Sequence, residues 1–294
     1  MLKVKIGAGK YVMAVSGGVD SVTLLDLLSK QSGLELVVAH FDHGIRKESA
    51  KDRKFVQNLA KTYGVEFVYE NGNLGAKVSE MQARDARYEF LSKVVNKHKA
   101  KAIITAHHQD DVLETIIMNM LRGTGRKGLS SLQSTSNVIR PLLSYSKQQI
   151  IEYAIKNHLV WVEDSTNEDT NYYRNWVRHK IVPKLTEKQR KKLLNSQNKL
   201  KIVNDEAEII LDKFIKEITK LNRHTVVMLP HNLTKELLAH WLRKNGINDF
   251  DSVLIEKLAI DAKTYASGKK TAIKKGIYVL FTKASLVIFR DKTK

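Results

Sequence analysis

The run Ser16-Gly17-Gly18-Val19-Asp20-Ser21 lies between two apolar stretches, Tyr11-Val12-Met13-Ala14-Val15 and Val22-Thr23-Leu24-Leu25-Asp26-Leu27-Leu28. The order reads as buried strand, tight glycine turn and helix N-terminus. Adjacent glycines let the backbone approach an anion with no Cβ in the way. Amides of the turn and of the first helical turn then converge on one spot, and the helix dipole adds positive potential there. Ser16, Gly17, Gly18, Val19 and Ser21 are therefore candidates for a phosphate cradle. Asp20 is the candidate for a Mg²⁺ that bridges phosphate oxygens. No Lys-Ser/Thr pair closes the run, so it is not a Walker A loop. An ordinary turn of small residues explains the glycines but neither Asp20 nor the second serine.

Outward from this run, residues 1–185 alternate strand and helix signals. β-branched stretches fall at 11–15, 35–41, 66–69 and 102–106, with helical patterns near 20–30, 48–63 and 79–98. That alternation predicts an α/β fold with a doubly wound, mostly parallel sheet. Ser79 followed by Gln82 predicts a capping box. In such sheets ligands lie at the carboxyl ends of the strands, where the loops at Ser16, Asp42 and His107 begin. After Pro183 the pattern becomes mostly helical. A long amphipathic helix is expected over 186–222, then a short strand at 224–229, helices at 234–244 and 251–262, and strands at 276–282 and 285–290. The domain boundary is placed at 185, with a catalytic domain before it and a smaller basic domain over 186–294.

The 294 residues suffice for two cores, and the absence of Cys excludes disulfides and thiolate chemistry. No apolar run reaches the length of a membrane span, and Met1-Leu2-Lys3-Val4-Lys5 has no signal-peptide character, so a cytoplasmic location and no membrane partner are expected. The net charge of +19 points to a polyanionic partner. Residues 186–294 hold 23 Lys+Arg and 12 Asp+Glu, or +11, leaving +8 for the first 185. Both parts could therefore touch nucleic acid, although solvated lysines alone would give a similar count.

Three further segments carry candidate chemistry. His107-His108-Gln109-Asp110-Asp111-Val112-Leu113-Glu114-Thr115 follows a strand and places Asp110, Asp111 and Glu114 in the first turns of a helix. Dipole compensation accounts for some of those carboxylates, but not for two His beside them. Gly123-Thr124-Gly125-Arg126-Lys127-Gly128 follows a helix rather than a strand, which makes it a mobile basic loop and not a dinucleotide fingerprint. Arg174 and Arg178 stand at i, i+4 in a basic helix and form a candidate phosphate clamp.

Together these segments resemble the tRNA(Ile)-lysidine synthase family of PP-loop ATP pyrophosphatases. The match runs through SGGVDS at 16–21, HFDHGIR at 40–46, the Ala83-Arg84 and Arg87-Tyr88 pairs, AHHQDD at 106–111 with Glu114-Thr115, LRGTGRKGL at 121–129, IRPLL at 139–143, and DSTN with RNWVRH within 164–179. Val112 replaces the usual Gln, and Ser131-Leu132 replace Gly-Met, without removing a charge. The resemblance implies a PP-loop, Rossmann-like fold and the ligation of free L-lysine to C2 of the wobble cytidine in tRNA(Ile) with a CAU anticodon. The ligation would pass through an adenylated cytidine, with ATP and Mg²⁺ as cofactors. It implies ATP binding by 16–21 and Arg84, and lysine binding by Asp111 and Glu114. Catalytic roles fall to Asp20, His108, Asp111, Glu114 and Arg174, and tRNA contacts to Arg126, Lys127 and Arg178. A homodimer is one candidate assembly. Thiolating PP-loop enzymes commonly need Cys, which this chain lacks, and small-molecule synthetases do not need its charge. A non-catalytic RNA-binding descendant is disfavoured by the intact loop residues.

Overall fold

β1 (Gly9–Ala14), β2 (Leu34–Asp42), β3 (Glu66–Asn71), β4 (Ile103–Ile104) and β5 (Val138–Ile139) form a sheet of order β3-β2-β1-β4-β5. Every pairing in it is parallel. The structure is a computed structural model describing residues 2–44, 49–75, 78–163 and 173–291. A parallel sheet needs cover on both faces, and the period-two alternation of its strands supplies two cores. Tyr11, Met13, Leu36 and Val38 point to one face, where they pack with Leu24, Leu25 and Leu28 of α1 (Val19–Ser29), Val56 and Ala60 of α2 (Ser49–Thr62), and Ile150. Val12, Val37, Ala39 and Ile103 point to the other, against Phe90, Leu91 and Val94 of α3 (Glu80–His98). The expected capping box at α3 forms, with the Ser79 side chain accepting the Gln82 N–H and Gln82 accepting the Ser79 N–H.

The strand order reverses direction between β1 and β4, so the carboxyl ends of these two strands open a crevice. β1 feeds α1 there, and β4 feeds α4 (Gln109–Leu121). Downstream lie α5 (Arg126–Leu129), α6 (Lys147–Lys156), α7 (Tyr173–Trp176), a π-helical turn (Val177–Ile181) and a 3₁₀ turn (Val182–Lys184). The segment expected as a basic loop thus includes the short helix α5, where the Asn119 side chain donates to the Gly128 carbonyl at 2.7 Å. Val177 and Val182 pack on Leu113 and Met118 of α4, which fastens the wide turn beside the crevice.

The chain divides into two compact units, Met1–Leu200 and Lys201–Lys294. The division falls inside α8 (Glu187–Asp212) rather than after residue 185, because Leu193 and Leu194 pack with α4 and the Gln197 side chain donates to Leu132 O at 3.3 Å. In the second unit, α9 (Arg223–Met228), α10 (His231–Lys244) and α11 (Ser252–Thr264) accompany an antiparallel sheet. Its order is β6 (Lys220–Asn222), β9 (Ser285–Arg290), β8 (Ile277–Phe281) and β7 (Lys270–Lys274). The strand expected at 224–229 is α9 instead: the Asn222 side chain accepts the Thr225 N–H at 2.9 Å and starts a helix. Trp241 is fully buried at the centre of this unit, and its indole N–H donates to Ile218 O at 2.8 Å. No helix among the described residues is long and apolar enough to cross a membrane.

Candidate active site

The two glycines of the loop after β1 do different things. Gly17 has φ +97°, and a Cβ there would lie 3.3 Å from Val56 and 3.4 Å from Phe55, so both its backbone and its packing require glycine. Gly18 caps α1 with φ −73° and ψ 161°, a conformation open to any residue. A Cβ on Gly18 would meet nothing closer than 3.6 Å. Glycine is a favoured residue at an N-cap, and here it also leaves the backbone at the start of α1 open to close approach. The serines brace the loop. Ser21 Oγ donates to Gly18 O at 2.9 Å and accepts the Gly17 N–H at 3.2 Å, and Ser16 Oγ lies 3.3 Å from it.

Asp20 projects from the first turn of α1, and both its oxygens accept from Lys147 Nζ, at 2.7 and 2.8 Å. Lys147 opens α6, whose Ser146 cap fixes the direction of that helix. His108 Nε2 lies 3.8 Å from Asp20 and 3.6 Å from Asp111. The other ring nitrogen, Nδ1, accepts the Asp110 N–H at 3.2 Å. A neutral His108 therefore carries its proton on Nε2, aimed at the two carboxylates.

Asp111 and Glu114 lie on one face of α4, as their i, i+3 spacing requires. Both are buried, Glu114 to 1% exposure. Arg174 Nε donates to Glu114 at 2.9 Å and its Nη2 to Asp111 at 3.2 Å. Arg178 holds Glu114 through Nε at 2.6 Å and Nη2 at 3.1 Å, with a longer 3.4 Å contact to Asp111. Burial alone would push the Asp111 carboxyl up, but His108, His107, Arg174 and the His108 backbone N–H prevail and hold it at about 2. Desolvation lowers both arginines, and the two carboxylates more than restore them. Desolvation also pushes the His107 imidazole down to about 3, helped by Arg140, Arg174 and Arg87, so it is neutral near pH 7. Its Nδ1 sits 2.8 Å from Thr105 Oγ1.

The crevice thus gathers Asp20, His108, Asp111, Glu114, Arg174 and Arg178. Arg178, expected at tRNA, and Arg174, expected at phosphate, both grip the carboxylates expected to hold lysine. Arg84 lies on α3 with its guanidinium 4.8 Å from the Tyr88 ring, and the Tyr88 hydroxyl accepts from Arg140 at 3.4 Å. Arg126 and Lys127 sit half-buried in α5. DSTN at 164–167 and the Ile45-Arg46 end of the HFDHGIR segment lie outside the described residues. Sequence reasoning missed Lys147, which is 127 residues from Asp20 and carries no local signal.

Residues 2–185 match the PP-loop domain family. The tRNA(Ile)-lysidine synthase of Thermosipho africanus is 39% identical over 226 residues, covering 74% of this chain and 51% of the relative. That of Thermotoga maritima is 39% identical over 190 residues, 61% of this chain and 46% of the relative. The chain thus spans about half the length of these relatives. A solved U34-tRNA thiolase from Methanococcus maripaludis aligns with a TM-score of 0.46 at 16% identity, over 62% of this chain and 75% of the thiolase.

Proposed function

Because the chain belongs to the PP-loop domain family, we propose that it is an ATP-dependent lysidine synthase. It joins the ε-amine of free L-lysine to C2 of the wobble cytidine in tRNA(Ile) with a CAU anticodon, as the names of its relatives suggest. The observation that carries this reading is the buried pair Asp111 and Glu114, matched by Arg174 and Arg178 and linked through His108 to Asp20 of the loop. A carboxylate pair suits a cationic amine, and two arginines suit the phosphate it displaces.

In the first step the cytidine O2 attacks the α-phosphorus of ATP. An O–P bond forms, the bond to the β-phosphate oxygen breaks, and pyrophosphate leaves. The Val19 amide at the start of α1 and the α1 dipole stabilise the charge that develops on the leaving group, while the Gly17 and Gly18 amides shape the loop through Ser21 and Ser16. Among the described residues no group of three His, Asp or Glu side chains could hold a metal without help. Asp20 fits Mg²⁺ as a single carboxylate ligand supplemented by phosphates, the usual arrangement for this ion. When bound, Mg²⁺ would neutralise charge on the polyphosphate. Both Asp20 oxygens accept from Lys147 Nζ, so the ion would have to displace that ammonium toward the polyphosphate.

In the second step the lysine nitrogen attacks C2, a C–N bond forms, the C2–O bond breaks and AMP leaves with that oxygen. The incoming ammonium competes with the guanidiniums for Asp111 and Glu114. Its arrival releases Arg174 or Arg178 toward the phosphate of the adenylate, so one charge exchange couples lysine binding to leaving-group stabilisation. Free lysine has an amine pKa of about 10.4, so its proton must be removed before attack. His108 is a poor acceptor in its neutral form, because Nδ1 already accepts a backbone bond. Asp111, held at about 2, is a weak base, which leaves the Glu114 carboxylate as the acceptor for that proton.

The deciding experiment is incorporation of radiolabelled lysine into a tRNA(Ile) transcript with a CAU anticodon, with and without ATP and Mg²⁺. ATP-dependent label at the wobble cytidine is expected. No label, with pyrophosphate release that needs no tRNA, would overturn the reading and move the chain to a small-molecule PP-loop reaction.

A further inference from the structure

Over 188–204, α8 turns a basic face with no acidic residue to solvent. Between Lys188 and Asn204 the sequence holds Lys188, Arg190, Lys191, Lys192, Lys199 and Lys201 and no acidic residue. Arg190 faces inward, donating to Asp110 at 3.2 Å and to Val182 O at 2.7 Å. Lys188, Lys191, Lys192 and Lys199 face outward and, with Asn195 and Ser196, line a groove of about 600 Å³. Among the described residues no salt bridge engages any of these four lysines, whereas Lys30, Lys147, Lys235 and Lys244 all have carboxylate partners. Like charges at i, i+3 and i+4 repel on a bare helix, so the stripe lowers helix stability unless an anion faces it.

The opposite face of the same helix is anchored. Leu193 and Leu194 pack with α4, and Gln197 is buried on Leu132 O. Arg190 ties the helix to Asp110, the neighbour of Asp111. The stripe is therefore held at a fixed distance from the candidate active site. At 1.5 Å per residue, Lys188 to Lys199 spans roughly 16 Å, enough for about three consecutive phosphates of a polynucleotide strand.

We infer that the outward face of α8, through Lys188, Lys191, Lys192 and Lys199, is a track for the sugar–phosphate backbone of the substrate RNA. Asn195 and Ser196 supply neutral hydrogen bonds between the charged positions. The inference rests on the tRNA reading for the identity of the RNA. It does not rest on that reading for the chemistry of the track, which recognises phosphodiesters of any sequence.

The test is the salt dependence of binding a tRNA(Ile) transcript by the full chain. Four substitutions are made together: Lys188→Gln, Lys191→Gln, Lys192→Gln and Lys199→Gln. Three lost phosphate contacts should lower the slope of log K against log salt by roughly 2 to 3. The wild type should then lose about 15- to 65-fold more affinity than the variant between roughly 50 and 200 mM salt. The corresponding four Arg substitutions should restore the slope, which separates lost charge from a lost fold; circular dichroism checks the helix. An unchanged slope in the Gln variant overturns the track. So does a variant that binds tRNA normally but loses binding to anionic lipid vesicles. A restored slope in the Arg variant, together with failed lysine incorporation by the wild type, would leave the track standing and remove the lysidine reading.

Discussion

Glu114→Gln should destabilise the first unit by about 2–3 kcal/mol, and Arg178→Gln should cost less. Glu114 is 1% exposed and accepts from two guanidiniums, at 2.6, 2.9 and 3.1 Å. Gln preserves the volume, so no cavity contributes. It also turns an amide N–H₂ toward donors that can only donate, which leaves two arginines sharing Asp111. Removing one partner of a buried pair costs about 3–5 kcal/mol when the other is left alone. Here Asp111 remains, and the arginine side chains are 22% and 31% exposed, which brings the figure down. Arg178→Gln leaves Glu114 with Arg174, so about 1–2 kcal/mol is expected. The double variant should be more stable than the sum of the two losses allows, with a coupling of at least about 1 kcal/mol. Urea unfolding of the four proteins, followed by near-UV circular dichroism, measures this cycle. Additive losses would refute the claim that Glu114 and Arg178 act as one unit. So would a Glu114→Gln protein as stable as the parent.

The loop glycines should part company. Gly17→Ala should cost about 1–3 kcal/mol of stability because of its positive φ and the contact with Val56. Gly18→Ala should cost less than about 1 kcal/mol yet weaken ATP binding, measured by calorimetry; equal ATP affinity would remove the close-approach argument. Lys147→Met should raise the KM for ATP about 10-fold or more, with partial rescue by Lys147→Arg; an unchanged KM would reduce the Asp20 contact to a surface pair. Asp111 is held at about 2, below its ordinary value of 3.8. Its contribution to stability is complete above pH 5 and fades as pH falls from about 4 through about 2. Asp111→Asn should therefore flatten acid unfolding in that window; parallel curves for parent and variant would contradict the assignment.

The part of the fold that is periodic was readable. Met13 and Val12 alternate between two cores, and the apolar pattern of 11–15 already required cover on both sides. The loop at 16–21 and the helix start at His108 carry short-range signals, glycine and cap residues, that act within a few positions. The rest depends on distance in the chain. Lys147 reaches Asp20 only because α6 packs beside α1. Arg174 and Arg178 showed their i, i+4 spacing, but nothing local said that Glu114 lay opposite. β7 escaped because Lys270 and Lys274 give this edge strand charged ends, and β5 because only two of its residues pair, whereas β4 lies within the strand expected at 102–106. At α9 the β-branched run 225–227 argued for a strand, but the segment is a helix, capped by Asn222 and with Val226 buried in the core.

The wide turn at Val177–Ile181 has a consequence for how this segment tolerates change in length. In an α-helix each residue advances the chain by about 100°. The π turn fits more residues into one revolution, and across it Arg178 shares the carboxylate of Arg174 while Val177 and Val182 stay on α4. A one-residue deletion here would let the helix relax to its ordinary winding. The lost residue and the tighter winding would offset each other, so Val182 and the anchored start of α8 would keep their faces, whereas a deletion that left the wide turn in place would rotate them by about a quarter turn. Residue count between Arg174 and Val182 is thus a structural parameter in its own right, separate from which side chains occupy the positions.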